Sequence, residues 1–485
     1  VKFSIKNSLR SRSVKYGGYA TLFSAAVLAT LVVVNLIVQQ VPAQIDLSGN
    51  KLFTLSEQTK NVIDSIEQPI TIYGLFSVGN EPAELLEVMR RYEASSSKIS
   101  LKLVDPDTNP GFAAKYAPDE GGSLRAGSLV IESGPRWKAI DYLDLLNVSY
   151  QDPYNPQVQS YAFEQRITNA LMFVATGRTP KIYQVAGHRE YTLDALGLTQ
   201  MVENENYTIE SLNLITAPAV PEDAELLFVL SPKQDFTEDE AEKLRAYLER
   251  AGHVLFLLDF LPGSELPVLS GLLESYGVRY GHNAIVMEGD PERYYRSQYG
   301  ANPFWIFPQF ETHDITGPLV TDDQVVLMPE VVPIERADLV RRTLEVTPLL
   351  VTSRNSWVRT DFNSSSMERI PSDRIGPIPI AVAVSEQPTY LDDRTLKLVA
   401  IGNSQFLSPQ LNMQMIPGNT NFFMNAVSWT ADRTESISIR PKSLFVFPMR
   451  LTGPQVLIFA GLFTVLIPLV ILATGLVVWL RRRHL

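Results

Sequence analysis

The chain of 485 residues carries 53 acidic against 42 basic side chains, a formal net charge of −11, and no cysteine. Its 45% hydrophobic and 20% charged content fits an ordered chain of more than one domain and excludes disorder or low complexity. The missing cysteine excludes a disulfide framework, a thiolate nucleophile and cysteine-ligated zinc or iron–sulfur sites.

Apolar residues gather at the two ends. Tyr16–Ile45 and Leu451–Leu480 are each uncharged runs of 30 residues, and a bilayer-spanning helix needs about 20 apolar residues. They predict transmembrane helices over 18–40 and 454–480, the second bent at Pro468 and anchored by Trp479 at the interface. Lys2, Lys6, Arg10, Arg12 and Lys15 precede the first, and Arg481, Arg482 and Arg483 follow the second. Positive flanks face the cytoplasm, so 1–17 and 481–485 are expected there and the region between on the far side. A signal peptide cleaved near Val41-Pro42-Ala43 is the rival reading. The apolar stretch exceeds the usual signal core of roughly 7–15 residues, which favours an uncleaved anchor. The region between the spans holds 34 bases against 53 acids, a net of −19. That surface disfavours nucleic acid as a partner.

The first interior domain is expected over 46–178. Thr54-Leu55-Ser56-Glu57 reads as a capping box before a helical stripe of Leu55, Thr59, Val62, Ile63 and Ile66. A strand at Ile70–Phe76, a helix after Pro82 with Leu85, Val88, Met89 and Tyr92, and a strand at Ile99–Val104 follow. A short helix near Pro110–Tyr116 leads to a hairpin of Ser128–Glu132 and Trp137–Tyr142. Phe163, Ile167, Ala170, Leu171 and Val174 mark a helix closed by Gly177. This α/β order resembles a thioredoxin-like layout after its first strand, without the Cys-x-x-Cys of redox members.

The second domain is expected over 179–440. Strands at Lys181–Val185, Tyr207–Leu212, Glu225–Leu230 and His253–Phe260 alternate with helices at Leu193–Glu203 and after the capping box Thr237-Glu238-Asp239-Glu240. Leu244, Tyr247, Leu248 and Ala251 form the stripe of the second helix, with Gly252 as terminator. Such βαβ spacing implies a parallel sheet covered on its faces. A helix at Pro267–Tyr276 and a strand at Asn283–Met287 continue it. The aromatic and proline-rich stretch 290–318 reads as a long loop or insertion. Val325–Met328, Leu349–Thr352, Ile380–Val384 and Leu396–Ile401 read as strands, and Asn419–Thr430 as a closing helix.

Few residues suggest chemistry. Gly187-His188-Arg189-Glu190 follows a strand at a sheet's carboxyl end, where open α/β sheets bind ligands; His188 and Glu190 are a candidate acid–base pair. The plainer alternative is a polar turn with an exposed ion pair. Asp105 and Asp107 follow a strand and are cation candidates, but the loop lacks the glycine and distal glutamate of an EF-hand, so a turn with a helix cap is the preferred reading. Asn403 and Ser404 after Gly402 could face a ligand or form a tight turn. Trp305, in the aromatic stretch, could contact carbohydrate, lipid or a partner protein, or fold over the core. No phosphate-binding or dinucleotide loop occurs, no metal spacing links the five histidines, and no cofactor is expected.

Together the motifs resemble the GldG-type auxiliary subunits of bacterial ABC transport systems, a family associated with gliding motility. Ile45-Asp46-Leu47-Ser48-Gly49-Asn50-Lys51-Leu52-Phe53-Thr54-Leu55-Ser56 stands outside the first span. Asp105-Pro106-Asp107 with Asn109-Pro110, the Gly187–Glu190 turn, the βαβ around Thr237–Phe260, Gly402-Asn403-Ser404-Gln405-Phe406 and Asn421-Phe422-Phe423-Met424-Asn425 follow in order. The resemblance implies two extracytoplasmic α/β domains, the second amidotransferase-like or flavodoxin-like, between two spans in the bacterial inner membrane. It implies a non-catalytic subunit that receives cargo or gates, partnered by an ABC permease and a cytoplasmic ABC ATPase; a homodimer within the complex is a further expectation. Amidotransferase chemistry is excluded without cysteine. The motifs reveal no cargo, and gliding motility is not assigned. A membrane-tethered hydrolase of envelope glycans or peptides, using His188 and Glu190, and a structural adaptor are the alternatives.

Overall fold

In the computed structural model, the described residues are 21–33, 46, 48, 51–117, 124–149, 157–297, 300–362, 368–386, 395–412, 416–433, 439, 442–444 and 460–483. The basic segment before the first apolar run and the candidate cleavage site lie outside them. Two compact units are present, one of Val1–Thr54 with Pro448–Leu485 and one of Leu55–Phe447.

In the first unit, Thr21–Val33 is an exposed apolar helix. Leu462–Arg481 is, among the described residues, the one helix long and apolar enough to cross a membrane. It contains a wide π-helical turn at Leu462–Leu466, just before Pro468. Proline has no N–H to donate back along the helix, and such a wide turn accommodates the lost bond. Asp46 folds the neighbouring motif onto itself: its carboxylate accepts the backbone N–H groups of Ser48, Phe53 and Thr54 at 3.0, 2.9 and 2.9 Å.

The second unit is mixed α/β with several sheets. Strands β1 (Ile70–Leu75), β2 (Ile99–Val104), β3 (Leu129–Ser133) and β4 (Arg136–Ile140) form a sheet of order β2-β1-β3-β4, with β1 and β2 parallel and the rest antiparallel. The helices Glu57–Ser65, Ala83–Ser95 and Phe163–Thr176 supply the predicted stripes, with Val62, Ile63, Leu85, Met89, Tyr92, Ile167 and Leu171 all buried. The first cap differs from expectation. Ser56, not Thr54, is the N-cap, its hydroxyl accepting the Thr59 N–H at 3.2 Å. Thr54 instead donates to Asp46. Strands β5 (Leu146–Ser149) and β6 (Gln157–Tyr161) pair with each other.

A larger sheet follows. β7 (Lys181–Ala186), β8 (Thr208–Asn213), β9 (Ala224–Leu230) and β10 (His253–Leu257) come first. β11 (Val278–Tyr280), β12 (Ile285–Met287), β13 (Tyr294–Ser297), β14 (Gly300–Ile306), β15 (Gln309–Phe310), β16 (Met328–Pro329) and β17 (Ile334–Arg336) come next. β18 (Leu344–Val351), β19 (Trp357–Arg359), β20 (Arg374–Ile375), β21 (Pro379–Glu386), β22 (Leu396–Ile401) and β23 (Lys442–Ser443) complete the strands among the described residues. The eight-stranded sheet has the order β15-β18-β21-β22-β10-β9-β7-β8. Its strands from β8 to β22 are parallel, and β21, β18 and β15 are antiparallel. The sheet is therefore mixed where a parallel one is expected: β21 and β22 are neighbours in sequence and pair antiparallel, which needs no helical crossover.

Side-chain alternation explains the continuous apolar runs. Leu226, Phe228 and Leu230 enter one core with Phe422, Phe423, Ala426 and Val427 of the helix Pro417–Thr430. Leu227 and Val229 enter the opposite core with Leu244, Tyr247 and Leu248 of the helix Glu238–Glu249 and Leu269 and Leu273 of the helix Pro267–Ser275. Burial of both faces requires apolar residues at successive positions.

Three expectations need correction. The predicted helix Leu193–Glu203 is helical only over Thr199–Glu203; Leu193, Leu196 and Leu198 are instead buried through an irregular turn with Gly197 at φ +68°. The stretch 290–318 is not a loop: β13 and β14 pair as a hairpin, and β16 joins them. A register shift at Tyr294/Tyr295 breaks the period of two, and so hides the strands from a periodicity reading. At the end of the helix Glu238–Glu249, Ala251 rather than Gly252 takes the left-handed conformation, at φ +59°.

Candidate functional site

The carboxyl ends of β7, β9, β10 and β22 bring together residues far apart in sequence. After β7, Gly187 at φ +136° and Arg189 at φ +60° turn the chain sharply. The turn carries His188 inward: it is 4% exposed. Its Nδ1 lies 3.0 Å from Glu190 Oε1 and its Nε2 3.2 Å from Glu240 Oε2, with the Phe236 ring 4.2 Å from the imidazole. The reading of an exposed ion pair is thus corrected, because both carboxylates are buried as well. Burial alone would lower the imidazole pKa; the bond to Glu190 and the charges of Glu240 and Glu190 outweigh it and hold the imidazolium above its ordinary value.

That shift has a signed consequence. A pKa raised in the folded state gives stability that is complete below the unfolded value of 6.5 and is lost as pH rises through the folded value. The melting temperature of the chain is expected to fall as pH climbs from 6.5, and the fall to shrink in His188→Gln. Identical pH profiles for the two proteins would contradict this.

Glu240 is also the last residue of the capping box, at the third helical position after the N-cap Thr237. Its N–H meets Thr237 Oγ1 at 3.3 Å and its Oε2 accepts the Thr237 N–H at 2.9 Å. Its Oε1 is buried with no hydrogen-bond partner among the described residues.

A second cluster surrounds Asp259, just past β10. Asp259 Oδ2 accepts from Ser231 Oγ at 2.5 Å, Lys233 Nζ at 2.7 Å and Ser404 Oγ at 2.8 Å, while Oδ1 accepts the Ser404 N–H at 2.6 Å. Lys233 Nζ also donates to Ser231 Oγ at 2.6 Å, and its N–H to the His188 carbonyl at 2.8 Å, which joins the two clusters. Lys233 further lies 5.0 Å from the Tyr191 ring, and Gln405 Nε2 donates to Tyr191 Oη. Gly402 permits the approach, since a Cβ there would stand 2.3 Å from the Val332 carbonyl oxygen.

Chemically, the arrangement holds more than it activates. Ser231 is fully buried, and Lys233 is engaged by Asp259 at 2.7 Å, so neither side chain is free to attack a ligand. Both His188 nitrogens face carboxylates. Among the described residues no group of His, Asp and Glu is arranged to hold a metal ion.

The other expected positions lie elsewhere. Asn403 donates to the Pro329 carbonyl at 2.6 Å and accepts the Phe406 N–H at 2.7 Å, which fixes its own loop. Trp305, half-buried in β14, pairs across from Pro329 with its ring 5.4 Å from Tyr295. Asp105 accepts the N–H of Asp107 at 2.9 Å, and Asp107 accepts from Ser77 Oγ at 2.9 Å, within the first sheet's loops. Ser231, Lys233, Glu240 and Asp259 were absent from the sequence candidates. Their signal was positional: Ser231-Pro232-Lys233 and Asp259 follow apolar strands at the same carboxyl edge as His188.

Comparison with known proteins adds a lineage. Residues 49–126 match a domain family of unknown function. No curated protein sequence matches the chain. Among solved structures, the mmIFT52 N-terminal domain is 16% identical, with 52% of this chain and 97% of that chain covered and a TM-score of 0.37. A ThuA-like protein from Bacteroides uniformis is 11% identical, covering 52% and 90%, with a TM-score of 0.28. The N-terminal domain of an alkyl hydroperoxide reductase from Enterococcus faecalis is 15% identical, covering 32% and 75%, at 0.19. Scores this low carry no functional argument. Residues 179–430, more than half of the sequence, match the family described as an ABC-type uncharacterized transport system, so the chain belongs to the auxiliary-component family of ABC transport systems.

Proposed function

We propose that the chain is a non-catalytic auxiliary subunit which receives cargo for, or gates, a separate ABC permease driven by a cytoplasmic ATPase. It is anchored in the bacterial inner membrane by two spans, with both termini cytoplasmic and the α/β region outside; a homodimer in the complex is part of the same reading. The order β2-β1-β3-β4 supports a thioredoxin-like first domain over 46–178. The helix-covered sheet supports an amidotransferase-like or flavodoxin-like second domain over 179–440.

One observation carries the mechanical part. Glu164 is buried and engages both stretches of chain nearest the anchors in sequence. Its Oε1 accepts the Ser56 N–H at 2.6 Å, and its Oε2 accepts from Lys442 Nζ at 2.7 Å. β23, which holds Lys442, pairs with β6. A displacement applied to either stretch would thus reach one shared carboxylate. The occupied Asp259 and His188 clusters favour holding over turnover, against the tethered-hydrolase reading.

Purification of the full chain in mild detergent is expected to bring down an ATP-binding chain and a permease. Recovery of a stable solitary protein would sink the proposal. An activity on envelope glycans or peptides abolished by both His188→Ala and Glu190→Ala, with assembly intact, would favour the hydrolase instead.

A further inference from the structure

We propose that the cleft between β4, the helix Phe163–Thr176 and the helix Thr199–Glu203 binds a small zwitterion of the amino-acid or short-peptide class. The cleft has a volume of about 560 Å³, within the range of small-molecule sites. It lies away from the His188 and Asp259 clusters, and no residue of either lines it. The inference goes beyond the auxiliary-subunit reading and stands whether or not a permease is present.

Charge selects the ligand class. Arg125, Lys138 and Arg166 line the cleft together with Asp141, Asp144 and Glu203. A simple anion would meet as many carboxylates as cations, and a simple cation the reverse. A molecule with both signs at separate ends can place each against its opposite.

Two groups on the wall call for partners. Asn169 is 2% exposed, and its Oδ1 accepts no hydrogen bond among the described residues; buried acceptors are ordinarily satisfied. Its Nδ2 is already committed to Glu205 Oε2 at 2.8 Å, so the free oxygen requires a donor from elsewhere. Lys138 forms no ion pair among the described residues; its Nζ stands 5.6 Å from the Phe173 ring centroid. Burial and repulsion from Arg166 lower the Lys138 pKa, against the opposing charges of Glu203 and Asp144, which offset only part of it. Arg166 is held by donation from Nε to the Asp144 carbonyl at 3.0 Å.

A ligand carboxylate between Lys138 and Arg166 would relieve that repulsion. Its ammonium would face Asp144 or Glu203, and a rotation of the Asn169 side chain would bring Oδ1 to its N–H. Trp137 and Phe173 offer an apolar wall for a side chain, and Trp137 is 37% exposed.

The test is calorimetric titration of the full chain in detergent micelles with the tripeptide Ala-Phe-Ala, its N-acetylated form, its C-terminal amide and inorganic phosphate. Saturable binding of the free tripeptide is expected, weakened about tenfold or more by blocking either end, because buried polar groups left unpaired penalise the analogue. Lys138→Met is expected to weaken binding by about the same factor with an unchanged melting temperature. Trp137→Ala, at an exposed position, serves as the second variant and should also weaken binding. No saturable binding up to about 10 mM, equal binding of the blocked forms, phosphate binding as tight as the tripeptide, or undiminished binding by both variants would each overturn the assignment.

Discussion

Glu164→Gln is expected to destabilise the Leu55–Phe447 unit by about 3 kcal/mol, the lower part of the range for breaking a buried ion pair. The Glu164 and Lys442 side chains are 5% and 18% exposed, so the freed ammonium recovers some hydration. Glutamine keeps the size but can accept with only one oxygen, while Ser56 N–H, Thr59 Oγ1 and Lys442 Nζ all donate to the carboxylate. Burial tends to raise this carboxyl's pKa, but the Lys442 charge and the hydrogen bonds outweigh it and hold it below its usual value of 4.5. A lowered folded pKa gives stability that is present above 4.5 and is lost as pH falls through the folded value. Glu164→Gln should therefore lower the melting temperature at neutral pH and leave less to lose below 4.5. The exposed pair Lys60–Glu57 is the control, since its removal should cost little. A variant that melts like the parent would contradict this account of the buried carboxylate. If the proposed coupling holds, the same variant assembles with permease and ATPase yet transports poorly.

Asp259→Ala is expected to have a comparable or larger effect, about 3–5 kcal/mol, since it strips partners from Lys233, Ser231 and Ser404 at once. Those three residues follow β9 and β22, so the loss loosens the carboxyl edge of the large sheet where His188 sits. The decisive comparison is with Asp259→Ala/Lys233→Met. Removing the stranded ammonium should restore part of the stability, because much of the penalty is an unpaired charge rather than a lost attraction. Chemical denaturation of the full chain checks both proteins. Equal stabilities would show that the stranded ammonium carries none of the penalty.

The network around Asp259 also shows why sequence reading found only part of the candidate site. His188, Glu190 and Ser404 stand in motifs that follow strands, so their place at a sheet edge was legible. Glu240 was legible too, but as a helix cap; the contact of that same capping oxygen, Oε2, with His188 links residues 52 apart. Ser231 and Lys233 sit in an ordinary Ser-Pro-Lys turn, and only the order β22-β10-β9-β7 sets them beside Asp259 and Ser404.

Local physics was decisive where a period or a cap repeats. The amphipathic stripes of Ala83–Ser95 and Phe163–Thr176, the capping box at Thr237–Glu240 and the six-residue strand Leu396–Ile401 appear as the sequence predicts. The regularity failed at 290–318 and at Leu193–Leu198, where a register shift and a left-handed turn interrupt the period.

The sequence by itself determined the apolar ends, the acidic interior, the absence of thiol and phosphate-loop chemistry, and membership of the transport family through the order of its motifs. These depend on composition and on short-range spacing. Only the tertiary structure decided that the large sheet is mixed, that His188 is buried between two carboxylates, that Asp259 ties three strand ends, and that Glu164 joins Ser56 to Lys442. Each of those depends on contacts between residues dozens to hundreds of positions apart, made by burial and strand order rather than by local propensity.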